Sequence, residues 1–168
     1  MKRGPVFSRG ESVMTNLQII TEFRVVGRPA PQGSKSYLGK GRFKEQSPHV
    51  SAWRNDVRNA ASKHFGEALI DGPVFIQMTF LFQRPNNHFV SSNRDRPVRE
   101  SSPYWVTKAP DLDKLQRSTN DALTGVIWID DSQVVATLSQ KFFVESGQGA
   151  IIRVCRVAGT TPLSLINL

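Results

Sequence analysis

Four aspartates stand in two tight groups, Asp111 and Asp113 in PDLDKL and Asp130 and Asp131 in WIDDSQ. Carboxylates are hard oxygen ligands, and two or three of them converging with phosphate oxygens suffice to seat a Mg²⁺ ion that keeps several waters. The same residues also have a plainer use. Acids in a first helical turn are favoured by the helix dipole, and Asp-Asp-Ser is ordinary turn chemistry. Between the groups, Leu112, Leu115, Thr119, Ala122 and Leu123 fall near one face of a helix that Gly125 ends. A helix over residues 112–124 spans roughly 18 Å at 1.5 Å per residue, so the groups meet only if residues 126–131 run back along it.

Charge favours the metal reading. The chain carries 22 Lys and Arg against 14 Asp and Glu, a formal net charge of +8, and such a field attracts polyanions. Nucleic acid is the leading partner, although anionic membrane or acidic protein would fit on charge alone. A basic protein suited to approach phosphates has gathered acids on both flanks of one helix. That coincidence, more than either pair alone, points to a cation site.

The elements that must carry these residues are read from periodicity. The run Leu17–Val26 is β-branched and apolar at strand length and stops at Gly27 and the turn-rich RPAPQGSKS. A basic, aromatic loop follows, with Lys35, Lys40, Arg42 and Lys44 interleaved with Tyr37 and Phe43. Ser47 or Ser51 is suited to cap a helix whose apolar positions are Trp53, Val57, Ala60, Ala61, His64 and Phe65, with Arg54 and Arg58 on its polar side. The stretch GPVFIQMTFLF reads as a buried strand with Val74, Ile76, Met78 and Phe80 on one face and Phe75 opposite.

From Gln83 to Pro110 the sequence is polar and aperiodic and carries Arg84, Arg94, Arg96, Arg99 and Lys108. Loops of this length in a compact domain are usually functional or disordered. These bases suit contacts to phosphate that position a protein without reading sequence. His49, His64 and His88 have no partner at metal-ligand spacing. Two last strands, SQVVATLSQKFFV and GAIIRVCRVA, are joined by ESGQG, a Gly-rich turn suited to a hairpin. Cys155, the single cysteine, alternates as a small buried hydrophobe and excludes disulfides.

The order β, α, β, loop, α, β, β describes an α+β single domain, a mixed β-sheet with two helices packed on it. Residues 17–160 are expected to form that domain, with 1–16 a disordered tail and 161–168 a C-terminal tail. No stretch approaches the roughly 18 apolar residues of a membrane span. The first residues lack the apolar middle of a secretory signal, so a cytoplasmic location is expected.

The string PDLDKLQRSTNDALTGVIWIDDSQVV resembles the signature of the RusA family of Holliday junction resolvases, common in prophages, in which DLDN-L is followed by DAL and then DDSQV. The match is specific over residues 109–135, with weaker support from the PAPQGSK turn and the element order. The resemblance implies an endodeoxyribonuclease acting on four-way DNA junctions in recombination and repair. It implies a homodimer, dependent on Mg²⁺ with Mn²⁺ able to substitute. It makes Asp111, Asp113 and Asp131 metal ligands, with Asp130 an adjacent acid. This sequence departs from the pattern where the family usually has Asn and this chain has Lys114, and where the family often has lysine and this chain has Arg117. Either cation would offset charge on the phosphate. Arg117 is favoured, because i and i+4 put it beside Asp113, and Lys114 is the runner-up. Two other classes stay open: a non-catalytic nucleic-acid-binding module, and a phosphohydrolase of smaller substrates. The basic loops around Lys35–Lys44 and Arg84–Arg99 suit an extended polyanion better than the latter.

Overall fold

The computed structural model of the chain describes residues 17–33, 35–37, 43–45, 49–66, 68–90 and 97–158. The expected tails, 1–16 and 161–168, fall outside them. So do Lys40, Arg42, Arg94 and Arg96 of the two basic loops.

Strand β1 (Leu17–Val26) alternates as half-buried strands do, with Thr21, Phe23 and Val25 inward and Glu22, Arg24 and Val26 outward. A short ribbon follows, β2 (Lys35–Tyr37) paired antiparallel with β3 (Phe43–Glu45), inside the segment expected as a loop. Helix α1 (Val50–His64) comes next and buries Val50, Trp53, Val57 and Ala61. Its N-cap is His49 with no side-chain bond, and Ser51 lies inside its first turn, so a Ser51 cap is not used. Strand β4 (Val74–Gln83), helix α2 (Leu112–Leu123), strand β5 (Val134–Val144) and strand β6 (Gly149–Val157) complete the order.

Four strands form one mixed sheet in the order β1-β6-β4-β5. The pairs β1 with β6 and β6 with β4 are antiparallel, and β4 with β5 is parallel. The expected hairpin between β5 and β6 is therefore not formed, because β4 lies between them. The reason is burial. Every residue of β4 from Val74 to Met78 except Gln77 is buried, whereas β5 has no buried residue, which suits an edge strand. The Gly147–Gly149 stretch carries the chain across the end of β4, and Gly149 comes so close to Val25 that a Cβ there would overlap its carbonyl oxygen.

Both helices pack on one face of the sheet. Trp53, Val57 and Ala61 of α1 and Leu115, Ala122 and Leu123 of α2 meet Val74, Ile76, Met78, Phe80, Ala150, Ile152 and Val154 in one core, closed by Ile70, Ile127 and Trp128. Apolar burial of this kind is worth roughly 25 cal/mol per Å² removed from water. Cys155 is buried without a partner, and burial pushes its thiol pKa up. Among the described residues no helix is long and apolar enough to cross a membrane.

Two buried hydroxyls on α2 weld it to its surroundings. Thr119 Oγ1 accepts from Trp53 Nε1 at 3.2 Å and donates to Leu115 O at 2.9 Å. Ser118 donates to Ala30 O at 2.6 Å. Replacing Thr119 by Val keeps its shape but leaves the buried indole N–H without an acceptor, a loss of about 1–3 kcal/mol. Urea denaturation of Thr119→Val should show a lowered midpoint with an unchanged slope. An unaltered midpoint would show that this bond does not couple the helices.

Candidate active site

Helix α2 begins at Asp111, whose extended backbone makes it the N-cap, yet its side chain makes no capping bond. Its Oδ2 instead accepts from Lys114 Nζ at 2.5 Å. The capping use of Asp111 is thus not taken up. Asp113 lies in the first turn and is exposed, as is Arg117 one turn on.

Asp130 behaves differently. Its carboxylate accepts from Ser132 N at 2.9 Å and caps the short 3₁₀ turn Asp131–Gln133. Gln133 Oε1 returns the favour by accepting from Asp130 N and Ile129 N, each at 2.9 Å. Gln133 Nε2 donates to Ile70 O at 2.9 Å and Gly72 O at 3.0 Å. One amide therefore satisfies four backbone groups and fixes the turn against the strand-entry segment. Asp130 is committed to structure, while Asp131 is exposed beside it.

Residues 126–131 do not return along α2. Gly125, at φ 75°, starts a tight turn in which Gly125 N bonds Trp128 O at 2.8 Å and Ile127 N bonds Leu123 O at 3.0 Å. Burial of Ile127 and Trp128 draws this segment into the core, and Ile70 N bonds Ile127 O at 2.8 Å. From the turn, β5 runs back past the helix: Gln116 Nε2 donates to Ser139 Oγ at 2.8 Å, and Lys141 Nζ reaches Pro110 O at 2.6 Å. Asp111 and Asp113 thus lie at one end of the 12-residue helix and Asp130 and Asp131 at the other, about 18 Å apart along its axis. Among the described residues no three His, Cys, Asp or Glu side chains converge on a common cation position. One copy offers Asp111 and Asp113 as its carboxylate pair.

Electrostatics at that pair are set by lysines. The hydrogen bond and charge of Lys114, with a smaller contribution from Lys141, hold the Asp111 carboxyl below the usual carboxylate range. Lys114 is in turn pushed up by Asp111 and, less, by Asp113, while Arg117 opposes the rise. These groups share one field. Ser132 holds the Asp130 carboxyl low by hydrogen bonding.

Two contributors escaped the sequence reading. Lys141 donates to the carbonyls of Lys108 and Pro110, at 2.9 and 2.6 Å, and so ties down the backbone just before Asp111. A lysine directly before the aromatic pair Phe142–Phe143 of the strand was the available signal. Gln133 was visible only as part of DDSQV.

Of the described basic residues in the loops, Lys108 is exposed, and Lys35 and Lys44 lie on β2 and β3. Arg84 is buried and donates to Pro103 O at 2.8 Å, with its guanidinium over the Phe143 ring. It holds the long loop to the sheet. Arg99 likewise donates to Phe89 O at 2.6 Å. His88 packs edge-on against Phe143, and burial followed by the charges of Arg84 and Lys108 lowers its pKa.

A family model described as Endodeoxyribonuclease RusA matches residues 27–155. The chain is also similar to the uncharacterized protein YqaN of Bacillus subtilis (strain 168), with 32% identity over 127 residues, covering 74% of this chain and 88% of YqaN.

A carboxyl whose folded pKa is depressed contributes stability above its unfolded value and loses it as pH falls through the folded one. Asp111 should therefore protonate at a lower pH than an aspartate without a partner. In a carbon-13 titration its midpoint should lie below the ordinary aspartate value, and Lys114→Met should raise it. Equal midpoints in the two proteins would show that the pair does not persist in solution.

Proposed function

The chain belongs to the RusA family of endodeoxyribonucleases, and on that premise we propose that it resolves four-way DNA junctions by paired, Mg²⁺-dependent phosphodiester hydrolysis in recombination and repair. One observation carries the reading. Asp111 and Asp113 at the start of α2 and Asp131 in the 3₁₀ turn are exposed and cap nothing with their side chains: Asp111 is held by Lys114 alone, and the turn is capped by Asp130 and Gln133.

Mg²⁺, or Mn²⁺ in its place, would supply Lewis acidity toward the scissile phosphate and acidify a bound water. Asp111 and Asp113 would hold the ion from the start of α2. In that role Asp111 would give up its bond to Lys114, and the Lys114 ammonium would be free to face the phosphate. Arg117 stays charged at any working pH and presents a planar fork suited to two non-bridging oxygens. It is our choice for the cation that offsets charge on the phosphate. In-line attack expelling the 3′ oxygen leaves a 5′-phosphate and a 3′-hydroxyl.

Asp131 is a helix length away from Asp111 within one copy, so its part in the same site requires a second copy. A homodimer with Asp131 of each copy beside Asp111 and Asp113 of the other supplies three carboxylates at each of two sites. Its two-fold axis matches the two-fold symmetry of a four-way junction, which needs cuts on opposed strands. Lys35, Lys40, Arg42, Lys44, Arg94, Arg96 and Lys108 would contact phosphates along the arms, and Arg84 and Arg99 would brace the loop that carries three of them. The endonuclease domain is taken as residues 17–160, acting in the cytoplasm.

The test uses a synthetic four-way junction. The native protein should nick it with Mg²⁺ and not with EDTA. Asp111→Asn and Asp131→Asn should each bind yet cut slower by on the order of a thousandfold. Mixing the two variants should restore nicking, because one site of each mixed dimer then regains all three carboxylates. If mixing restores nothing, the three aspartates act within a single copy; if the native protein cuts no branched substrate, the resolvase reading is wrong.

A further inference from the structure

The long loop before α2 brings two large aromatic rings to the surface. Tyr104 and Trp105 are each 53% exposed. Their rings meet edge to face at 5.2 Å, and Tyr104 stacks on Phe142 of β5 at 4.9 Å and 17°. Water contact on this scale is unfavourable for apolar rings, and among the described residues both stay half-exposed.

The rings are held firmly. Phe143 N donates to Tyr104 O at 3.0 Å and Val106 N to Lys141 O at 3.4 Å, so residues 104–106 lie along the edge of β5. Val106 is buried, and the buried Arg84 guanidinium grips Pro103 O immediately before the pair. Pinned aromatic faces lose little entropy when a flat partner stacks on them.

Their surroundings are cationic. Lys108 lies three residues on, and Lys141 sits beside Phe142 and bonds the carbonyl before Asp111. Among the described residues neither these lysines nor Arg84 has a carboxylate ion-pair partner. A flat, aromatic partner attached to a polyanion answers both features. Paired duplex hides the faces of its bases, whereas a branch point leaves bases able to unstack.

We propose that Tyr104 and Trp105, backed by Phe142, form a stacking platform for unstacked nucleobases at the branch point of the DNA. This rests on branched DNA being the substrate, but it concerns binding and not cutting. It places discrimination between junction and duplex in the loop, next to Asp111, and leaves general affinity to the lysines and arginines.

The protein carries its own probe. Of the three tryptophans, Trp53 and Trp128 are fully buried, so emission accessible to an external partner comes from Trp105. A four-way junction and single-stranded oligothymidine should quench it, and a fully paired duplex bound to saturation should not. By fluorescence anisotropy in EDTA, Trp105→Ala should weaken junction binding about tenfold, as the loss of one base–aromatic stack predicts. Duplex affinity should stay within about twofold, and Trp105→Phe should recover most of the loss. Equal loss on junction and duplex, or none on either, would overturn the platform. So would a fall in sedimenting mass for Trp105→Ala, which would make the rings a contact between copies. Because cleavage is not read, a native protein that binds as described yet never nicks defeats the nuclease reading and leaves the platform standing.

Discussion

Helix α2 is a rigid spacer, and the site inherits its length. Its hydrogen-bonded turns fix the rise per residue, its buried face is welded to α1 and to the segment at Ala30 by Thr119 and Ser118, and its C-terminal turn is buried with Ile127 and Trp128. None of these leaves freedom to fold the two acidic groups together. The separation of Asp111 from Asp131 is thus a property of the core. A site that used both would have to be assembled between copies, and oligomerisation would then carry a catalytic meaning.

The placement of the first pair follows from the sheet. Strands β4 and β5 are parallel, and α2 is the connection between them. Lys141, near the C-terminal end of β5, holds the backbone just ahead of Asp111. Ligand sites in such arrangements gather outside the carboxyl ends of parallel strands, where connections open away from the sheet. The acids at the start of α2 lie at that end, where Lys141 also ties down Lys108 and Pro110.

Local chemistry was legible in the sequence to the extent that period and composition are local. Val74, Ile76, Met78 and Phe80 announced their strand and its buried face, and Leu115, Thr119, Ala122 and Leu123 the inner face of α2. Strand order was not legible. ESGQG has the residues of a hairpin turn, but which strand lies beside which depends on how burial is shared across the whole sheet, and β4 outcompetes β5 for the neighbour of β6. The path after Gly125 failed for a related reason. Extended reach allowed residues 126–131 to run back along the helix, but apolar Ile127 and Trp128 gain more by entering the core. Gln133 and Lys141 were missed because their partners are backbone groups, Ile70 O and Gly72 O for one, Lys108 O and Pro110 O for the other, and backbone partners leave no mark in sequence.

Strand β5 is an 11-residue edge, and an open edge of that length invites pairing with a strand from any passing chain. Two features guard it. Residues 104–106 run along its C-terminal half at Lys141–Phe143, and at its start the register slips between Val74 and Phe75 opposite Val134–Ala136, an irregularity of the kind that breaks up a flat edge. The loop before α2 therefore protects solubility as well as carrying charge. A relative that shortened this loop would have to guard the same edge by another route, with charges, a proline or a shorter strand, or else lose chains to aggregation.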